Sequence, residues 1–227
     1  MVRRTNEIIG RIENVNNIKY ERGIFMEKQN RVLSGGQLAG GNSTSEREKN
    51  DFYATDPQTL KLFLYEFLKD NSLDGKDILE PACGEGHISE TIKEILPSYE
   101  IFSTDLIDRG YGQGGVDFLT HDYGRTFGTV ITNPPFSLAK EFIEKGLEVS
   151  ERHVIMLCKI QLLEGIKRKD MFLNTPLKYV YVHSTRQATW KEGKPLDPKG
   201  RKWATTMCLA WFVWDKEYKG EPIIRWI

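Results

Sequence analysis

The sequence predicts an α/β fold on a mostly parallel sheet. Three observations predict it. Short apolar runs of strand length alternate with segments whose apolar residues recur at helical spacing. Glycine, proline and aspartate stand at the junctions between them. A chain of 227 residues, 39% hydrophobic and 11% aromatic, carries enough apolar mass to bury such a sheet in one domain.

The elements follow in order. Asp56-Pro57 starts a helix, with a capping carboxylate and then proline at the first helical position. Leu60, Phe63, Leu64, Phe67 and Leu68 give that helix one apolar face. Asp77–Glu80 reads as a short buried strand, followed by a glycine-bearing loop at 81–86. A helix with Ile88, Ile92, Ile95 and Leu96 on one face comes next. Ile101–Leu106 and Thr129–Thr132 are the next strands, the second closed by Pro134-Pro135. A helix then buries Ala139, Phe142, Ile143, Gly146 and Leu147. His153–Cys158 is a strand, about 163–173 a polar helix, and Leu177–His183 a strand. Met207–Trp214 is the last long apolar run, and Ile223–Ile227 adds a short one. Parallel strands joined by helices place ligands at their carboxyl ends, so the loops after each strand are the informative ones.

Residues 1–50 differ from the rest. Ser34–Ser45 is almost all small and polar, so the first fifty residues read as a flexible polar tail before a domain at 51–227. Met26 is an internal candidate start, and residues 1–25 are expected to be dispensable. No apolar run has the length of a membrane span, and no apolar block follows Arg3 and Arg4. Cys83, Cys158 and Cys208 are far apart and odd in number, which excludes a disulfide framework or a zinc module and suits a reducing cytoplasm. The net charge of zero hides an asymmetry. Residues 51–150 carry eight cations against eighteen anions; residues 151–227 carry fifteen against eight. An acidic middle suits a cationic ligand, and a basic C-terminal third suits a polyanion.

Four features carry chemistry. Glu80-Pro81-Ala82-Cys83-Gly84-Glu85-Gly86 joins a strand to a helix through glycines, which lets backbone approach a ligand or simply turns the chain. Glu80 and Glu85 repel a pyrophosphate but attract an ammonium or sulfonium. Asp105, about twenty residues on at a strand end, can accept both hydroxyls of a ribose. Asn133-Pro134-Pro135-Phe136 combines an amide oxygen, a carbonyl on a rigid extended backbone and an aromatic ring, a receptor for a planar group bearing an amine. Arg186–Trp203 mixes cations with Trp190 and Trp203 and reads either as a nucleic-acid loop, near 184–203, or as a solvated hairpin. Lys159, Lys167, Arg168 and Lys169 extend that patch. His87, His121 and His183 have no partners in sequence and read as structural or peripheral.

Taken together, DFYATDP (51–57), EPACGEG, Asp105, Val116–Leu119 (VDFL) and NPPF resemble the motifs of S-adenosylmethionine-dependent DNA adenine-N6 methyltransferases, over about residues 51–227. CKIQLLEG (158–165) and the ending Trp211–Asp215 resemble smaller, phage-type members. The resemblance implies a Rossmann-like methyltransferase fold: a mostly parallel seven-stranded sheet with an antiparallel last strand, and helices on both faces. It implies an enzyme that transfers methyl from S-adenosylmethionine to adenine N6 in DNA. Asn133, Pro134, Pro135 and Phe136 would be catalytic. Tyr53, Thr55, Glu80, Pro81, Gly84, Gly86, Asp105, Asp117 and Phe118 would surround the cofactor, Tyr53 and Phe118 serving there or in packing. Lys159, Arg186, Trp190, Lys199, Arg201 and Lys202 would meet nucleic acid, and no metal is implied. Other readings are a methyltransferase for RNA adenine or a protein glutamine, or a non-catalytic nucleic-acid-binding relic. Little chain remains after Trp214 for target recognition. A short or relaxed target, or help from a dimer or a partner, is therefore expected.

Overall fold

The computed structural model describes residues 53–73, 75, 77–185, 187, 190, 193–200 and 207–227. The polar tail, Asp51, Phe52, Arg186, Arg201 and Lys202 lie outside the described residues.

The first helix, α1 (Pro57–Asp70), begins where Asp56 Oδ1 accepts a hydrogen bond from Gln58 N at 2.9 Å. Strand β1 (Asp77–Glu80) leads through the glycine loop into α2 (His87–Ile95), and β2 (Glu100–Ser103) follows. Then come β3 (Phe127–Thr132), a 3₁₀ turn at Phe136–Leu138, α3 (Ala139–Val149) and β4 (Ser150–Lys159). A second 3₁₀ turn, Ile160–Leu163, precedes α4 (Ile166–Asn174), and β5 (Leu177–Val182), β6 (Leu209–Asp215) and β7 (Ile223–Trp226) complete the chain.

The seven strands form one sheet in the order β2-β1-β3-β4-β6-β5-β7. All run parallel except β6, the last long apolar strand, which is antiparallel to both β4 and β5; the short edge strand β7 runs parallel to β5. Helices cover both faces. On one, Phe63 of α1 stacks on Trp211 at 4.9 Å and meets the edge of Tyr181 at 5.2 Å. On the other, Phe142 and Ile143 of α3 share a core with Val154, Met156, Phe212 and Trp214. Full burial of β6 explains why its stretch reads as a continuous apolar run rather than an alternating one; β3 is as deeply buried, Thr129 and Thr132 included.

Several boundaries shift by two or three residues, and two of the shifts have a clear local cause. The second strand stops at Ser103 instead of Leu106, and Leu106 is 60% exposed. Beyond Ser103 the backbone turns to a loop: Gln113 N donates to Ser103 O and Asp105 N donates to Gln113 O. The polar helix starts at Ile166 rather than 163, because Gly165, with φ at +120°, breaks the path between the 3₁₀ turn and α4.

At the sheet edge opposite the strand-end loops, the Asp215 carboxylate is 2% exposed. It accepts from Lys178 Nζ at 3.0 Å, from Glu217 N at 3.1 Å and from Arg152 Nη2 at 3.3 Å. Burial alone pushes this carboxyl up; the hydrogen bonds outweigh it and hold it below its ordinary value. Stability from this group is therefore present above the ordinary carboxylate range and lost as pH falls through the folded value. Asp215→Ala leaves Lys178 without its carboxylate and Arg152 with the exposed Glu217, and is expected to cost about 3 kcal/mol, read as a lower urea midpoint at unchanged slope. A midpoint equal to wild type would show that the cluster holds nothing in place.

Candidate active site

The carboxyl ends of β1, β2 and β3 open onto one cavity of about 120 Å³. Its wall includes Thr55, Glu80, Asp105, Phe118 and Asn133. Pro81 and Asp117 also face it, so most of the sequence-derived residues converge on one place.

Asn133 follows β3, and its side chain points its two halves at different fates. Nδ2 donates to the Tyr53 carbonyl at 2.8 Å and to Thr55 Oγ1 at 3.2 Å. Oδ1 is buried and has no hydrogen-bond partner. A carbonyl only accepts, so Tyr53 selects the amine half and leaves the oxygen as an unsatisfied acceptor. The segment bearing Tyr53 and Thr55 is fixed in turn. Ala54 and Trp190 exchange backbone hydrogen bonds of 3.1 and 3.0 Å, and Asp56 caps α1.

Phe136 lies beside this cavity and lines a second, smaller hollow with Lys159 and Leu162. Its ring stacks with Tyr53, centroids 5.8 Å apart at 24°, and Lys159 Nζ sits 4.7 Å from the ring centroid. The two half-buried rings and the cation form a ready platform for a further planar group. Pro134 is buried, and Pro135 O accepts from Leu138 N, which starts the 3₁₀ turn.

The glycine loop behaves differently from its simplest sequence reading. Gly84 and Gly86 have φ of +56° and +84°. A Cβ at Gly86 would strike the Tyr111 ring, so this glycine admits a protein side chain rather than a ligand. Glu80 is 1% exposed and accepts from Ser89 N at 2.9 Å and from Ser89 Oγ. Burial outweighs those bonds and pushes its carboxyl up to about 8, so it is neutral at pH 7 until a nearby cation draws the proton off. Glu85 instead abuts Gly193 of the loop after β5.

Asp105 turns inward. Its carboxylate accepts from Gly84 N at 2.8 Å, Ile107 N at 2.8 Å and Arg109 Nη1 at 3.2 Å. Asp117 is exposed and accepts from Leu119 N and Thr120 Oγ1, both at 3.1 Å. Phe118 is chiefly a core residue, 5.0 Å from Phe142 between ring centroids, with part of its surface in the cavity.

Of the expected nucleic-acid contacts, Lys159 stands at the site and Lys199 is exposed. Trp190 is half-buried, bridged to Ala54 and edge-on to the His87 ring at 5.2 Å; it anchors the loop onto the site. Sequence reasoning missed His87 and Arg109 as cavity residues. Their partners, Trp190 and Asp105, become neighbours only through the fold or an irregular loop, so no periodic signal marks them.

No family profile and no curated protein sequence matches the chain. Solved structures do. A putative class I S-adenosylmethionine-dependent methyltransferase from Listeria monocytogenes matches with a TM-score of 0.56 at 13% identity, over 98% of this chain and 73% of that one. The methyltransferase subunit of a type I restriction-modification system from Streptococcus thermophilus matches with a TM-score of 0.56 at 12% identity, over 76% of this chain and 47% of that subunit. A putative RNA methyltransferase from Pyrococcus horikoshii matches with a TM-score of 0.53 at 14% identity, over 75% and 90%. The fold is thus the Rossmann-like fold of class I methyltransferases.

Glu80 supplies a test of the site's electrostatics. A carboxyl with a raised folded value favours folding fully below its ordinary value, 4.5, and loses that advantage as pH rises to about 8. Glu80→Gln removes the titration. The variant is expected to gain stability relative to wild type between pH 5 and pH 8, measured as the difference between their melting temperatures. A constant difference across that range would place an ionised Glu80 in the folded protein.

Proposed function

We propose that the protein transfers a methyl group from S-adenosylmethionine to the N6 amine of adenine in DNA. The observation that carries this reading is the unsatisfied, orientation-locked oxygen of Asn133 at the wall of the strand-end cavity. The cavity's donor set fits the cofactor. Glu80 and Asp117 offer acids to a cationic ligand, Asp105 offers a carboxylate to a ribose, and Thr55 keeps a hydroxyl proton for a carboxylate. The cofactor supplies an electrophilic methyl group carried on a sulfonium.

The chain's own residues handle the acceptor. The exocyclic nitrogen of adenine is conjugated into its ring and is a poor nucleophile. Asn133 Oδ1 and the Pro134 carbonyl accept its two hydrogens, which localises the nitrogen lone pair and stabilises the positive charge that develops on it. No strong base is required, because solvent takes the surplus proton. Phe136, steadied by Tyr53 and Lys159, stacks on the target ring and helps offset the cost of drawing it from a duplex. The excess of cations in residues 151–227 favours a nucleic acid over a protein as methyl acceptor. The likeness to a restriction-modification subunit is consistent with DNA, and help from a partner subunit in target recognition belongs to the same proposal.

The test is single-turnover transfer of labelled methyl to adenine-containing DNA, with RNA of the same sequence alongside. Asn133→Ala is expected to lose about 10²–10³ in rate while cofactor affinity holds, the usual magnitude for one preorganised polar group. Transfer at the wild-type rate would remove Asn133 from the reaction. Labelled RNA with unlabelled DNA would reassign the substrate. Asp105→Ala is expected to weaken cofactor binding by about 1.5–3 kcal/mol, the worth of a hydrogen bond to a charged group, as read by calorimetric titration of the folded variant. Unchanged affinity would exclude the ribose contact.

A further inference from the structure

The loop that follows β2 sends a cation into the strand-end cavity. Arg109 is the only lysine or arginine among the described residues that line it. Its Nη1 lies 3.2 Å from Asp105 Oδ1, and the two side chains are 17% and 12% exposed. A lone cation there would repel a ligand that itself carries a sulfonium. Pairing with Asp105 cancels that charge locally and leaves a donor group and an acceptor group side by side.

The loop is built to hold Arg109 in this place. Asp108 Oδ1 accepts from Gly110 N at 2.9 Å, closing a turn around Arg109, whose side chain returns to the carboxylate four residues earlier. Beyond the turn, the Tyr111 hydroxyl donates to Glu90 Oε1 at 2.6 Å and accepts from Lys93 Nζ at 2.9 Å, which ties the loop to α2. Gly112, at φ +63°, passes so close to β2 that a Cβ would collide with the Ser103 carbonyl. The Asp105 backbone is fixed as well: its N donates to Gln113 O and its O accepts from Val116 N, both at 3.0 Å.

Asp105 lacks the acceptor capacity for a whole ribose. A carboxylate offers about four lone-pair sites. Oδ1 takes Ile107 N and Arg109 Nη1, and Oδ2 takes Gly84 N. The remaining site, on Oδ2, suits one hydroxyl rather than the two that the sequence suggests.

We infer that Arg109 is a second ribose-binding residue: its guanidinium donates to one hydroxyl of the S-adenosylmethionine ribose while Asp105 accepts from the other. The inference rests on the proposed use of that cofactor and adds the residue that completes its ribose contact. A hydroxyl both donates and accepts, so a vicinal diol matches a donor and an acceptor held together. The guanidinium presents its N–H groups in a fixed fork, so one serves Asp105 and another a neighbouring hydroxyl. A deoxyribose cannot engage both residues. The clamp therefore separates the cofactor's adenosine from the deoxyadenosine of a DNA substrate, which presents the same base.

The test is calorimetric titration of the full chain with S-adenosylhomocysteine and with its 2′-deoxy and 3′-deoxy analogues. Each analogue is expected to bind the wild-type protein about tenfold more weakly than the parent, the usual worth of a hydrogen bond to a charged group. Arg109→Met keeps the side chain's length and removes its donors. It should discriminate against one analogue by less than about threefold and against the other still by about tenfold. Asp105→Asn is expected to turn its oxygen toward Ile107 N and Arg109 and its amine toward the hydroxyl, and so to lose the opposite discrimination. Any other pattern in either variant, with both discriminations lost or both kept, would overturn the clamp. So would a wild-type protein that binds either analogue as tightly as the parent. In all these outcomes the parent still binds; a wild-type protein that binds none of the three would refute the cofactor reading and the clamp with it. Binding is read without DNA, so a failure to methylate DNA would refute the proposed function and leave the clamp standing.

Discussion

The hydrogen bond from Asn133 Nδ2 to the Tyr53 carbonyl sets the polarity of the candidate site. An amide turned by 180° occupies almost the same space, so packing cannot choose between its two orientations. A carbonyl can, because an oxygen in place of the amine would set two acceptors against each other. The result is a buried acceptor with no partner, a state that ordinarily costs about 1–3 kcal/mol. A donor arriving at that oxygen recovers the cost, so the site is complementary to a hydrogen-bond donor before one arrives. Much of the surrounding structure serves to keep Tyr53 and Thr55 in place. Asp56 caps α1, α1 packs Phe63 on Trp211 and Tyr181, and Trp190 closes the backbone bridge to Ala54. The loop after β5 thus acts on the site mechanically, through Trp190, besides whatever charge it carries.

The sheet separates tension from anchorage. Its carboxyl edge holds the groups that are electrostatically uncomfortable: Glu80, whose burial pushes its carboxyl up, and the unpartnered Asn133 oxygen. The opposite edge holds Asp215, whose cationic partners and turn amide fully answer its charge. Strand β6 spans both, starting beside the site and ending in Asp215. Its antiparallel course between β4 and β5 ties the two edges together. Local cost at the site is tolerable because the framework carrying it is fixed elsewhere.

Much of the architecture was legible in the sequence because it follows local rules. The spacing of Leu60, Phe63, Leu64, Phe67 and Leu68 gave the buried face of α1, and Asp56-Pro57 gave its start. The uninterrupted apolar run marked β6. The convergence of Thr55, Glu80, Asp105 and Asn133 was also legible, through the rule that parallel strands gather their following loops at one edge. What could not be read was the state of each group. Asn133 takes its partners from nearly eighty positions away, and Asp215 is joined to Arg152 across sixty-three. Glu80 looked like a standing negative charge, yet depth of burial decides its protonation. The end of β2 was missed because Gln113, ten residues on from Ser103, returns to take the hydrogen bonds a longer strand would have used.

The central claim is that the locked acceptor of Asn133 serves an adenine amine in DNA. Its most direct measurement is nucleoside mass spectrometry on cells that lack adenine methylation and express this chain, with modified bases mapped along the genome. The account predicts N6-methyladenine in the DNA of those cells and none in cells expressing the Asn133→Ala variant at equal abundance. Unmodified DNA, with the methyl group found instead on RNA or protein, would contradict it.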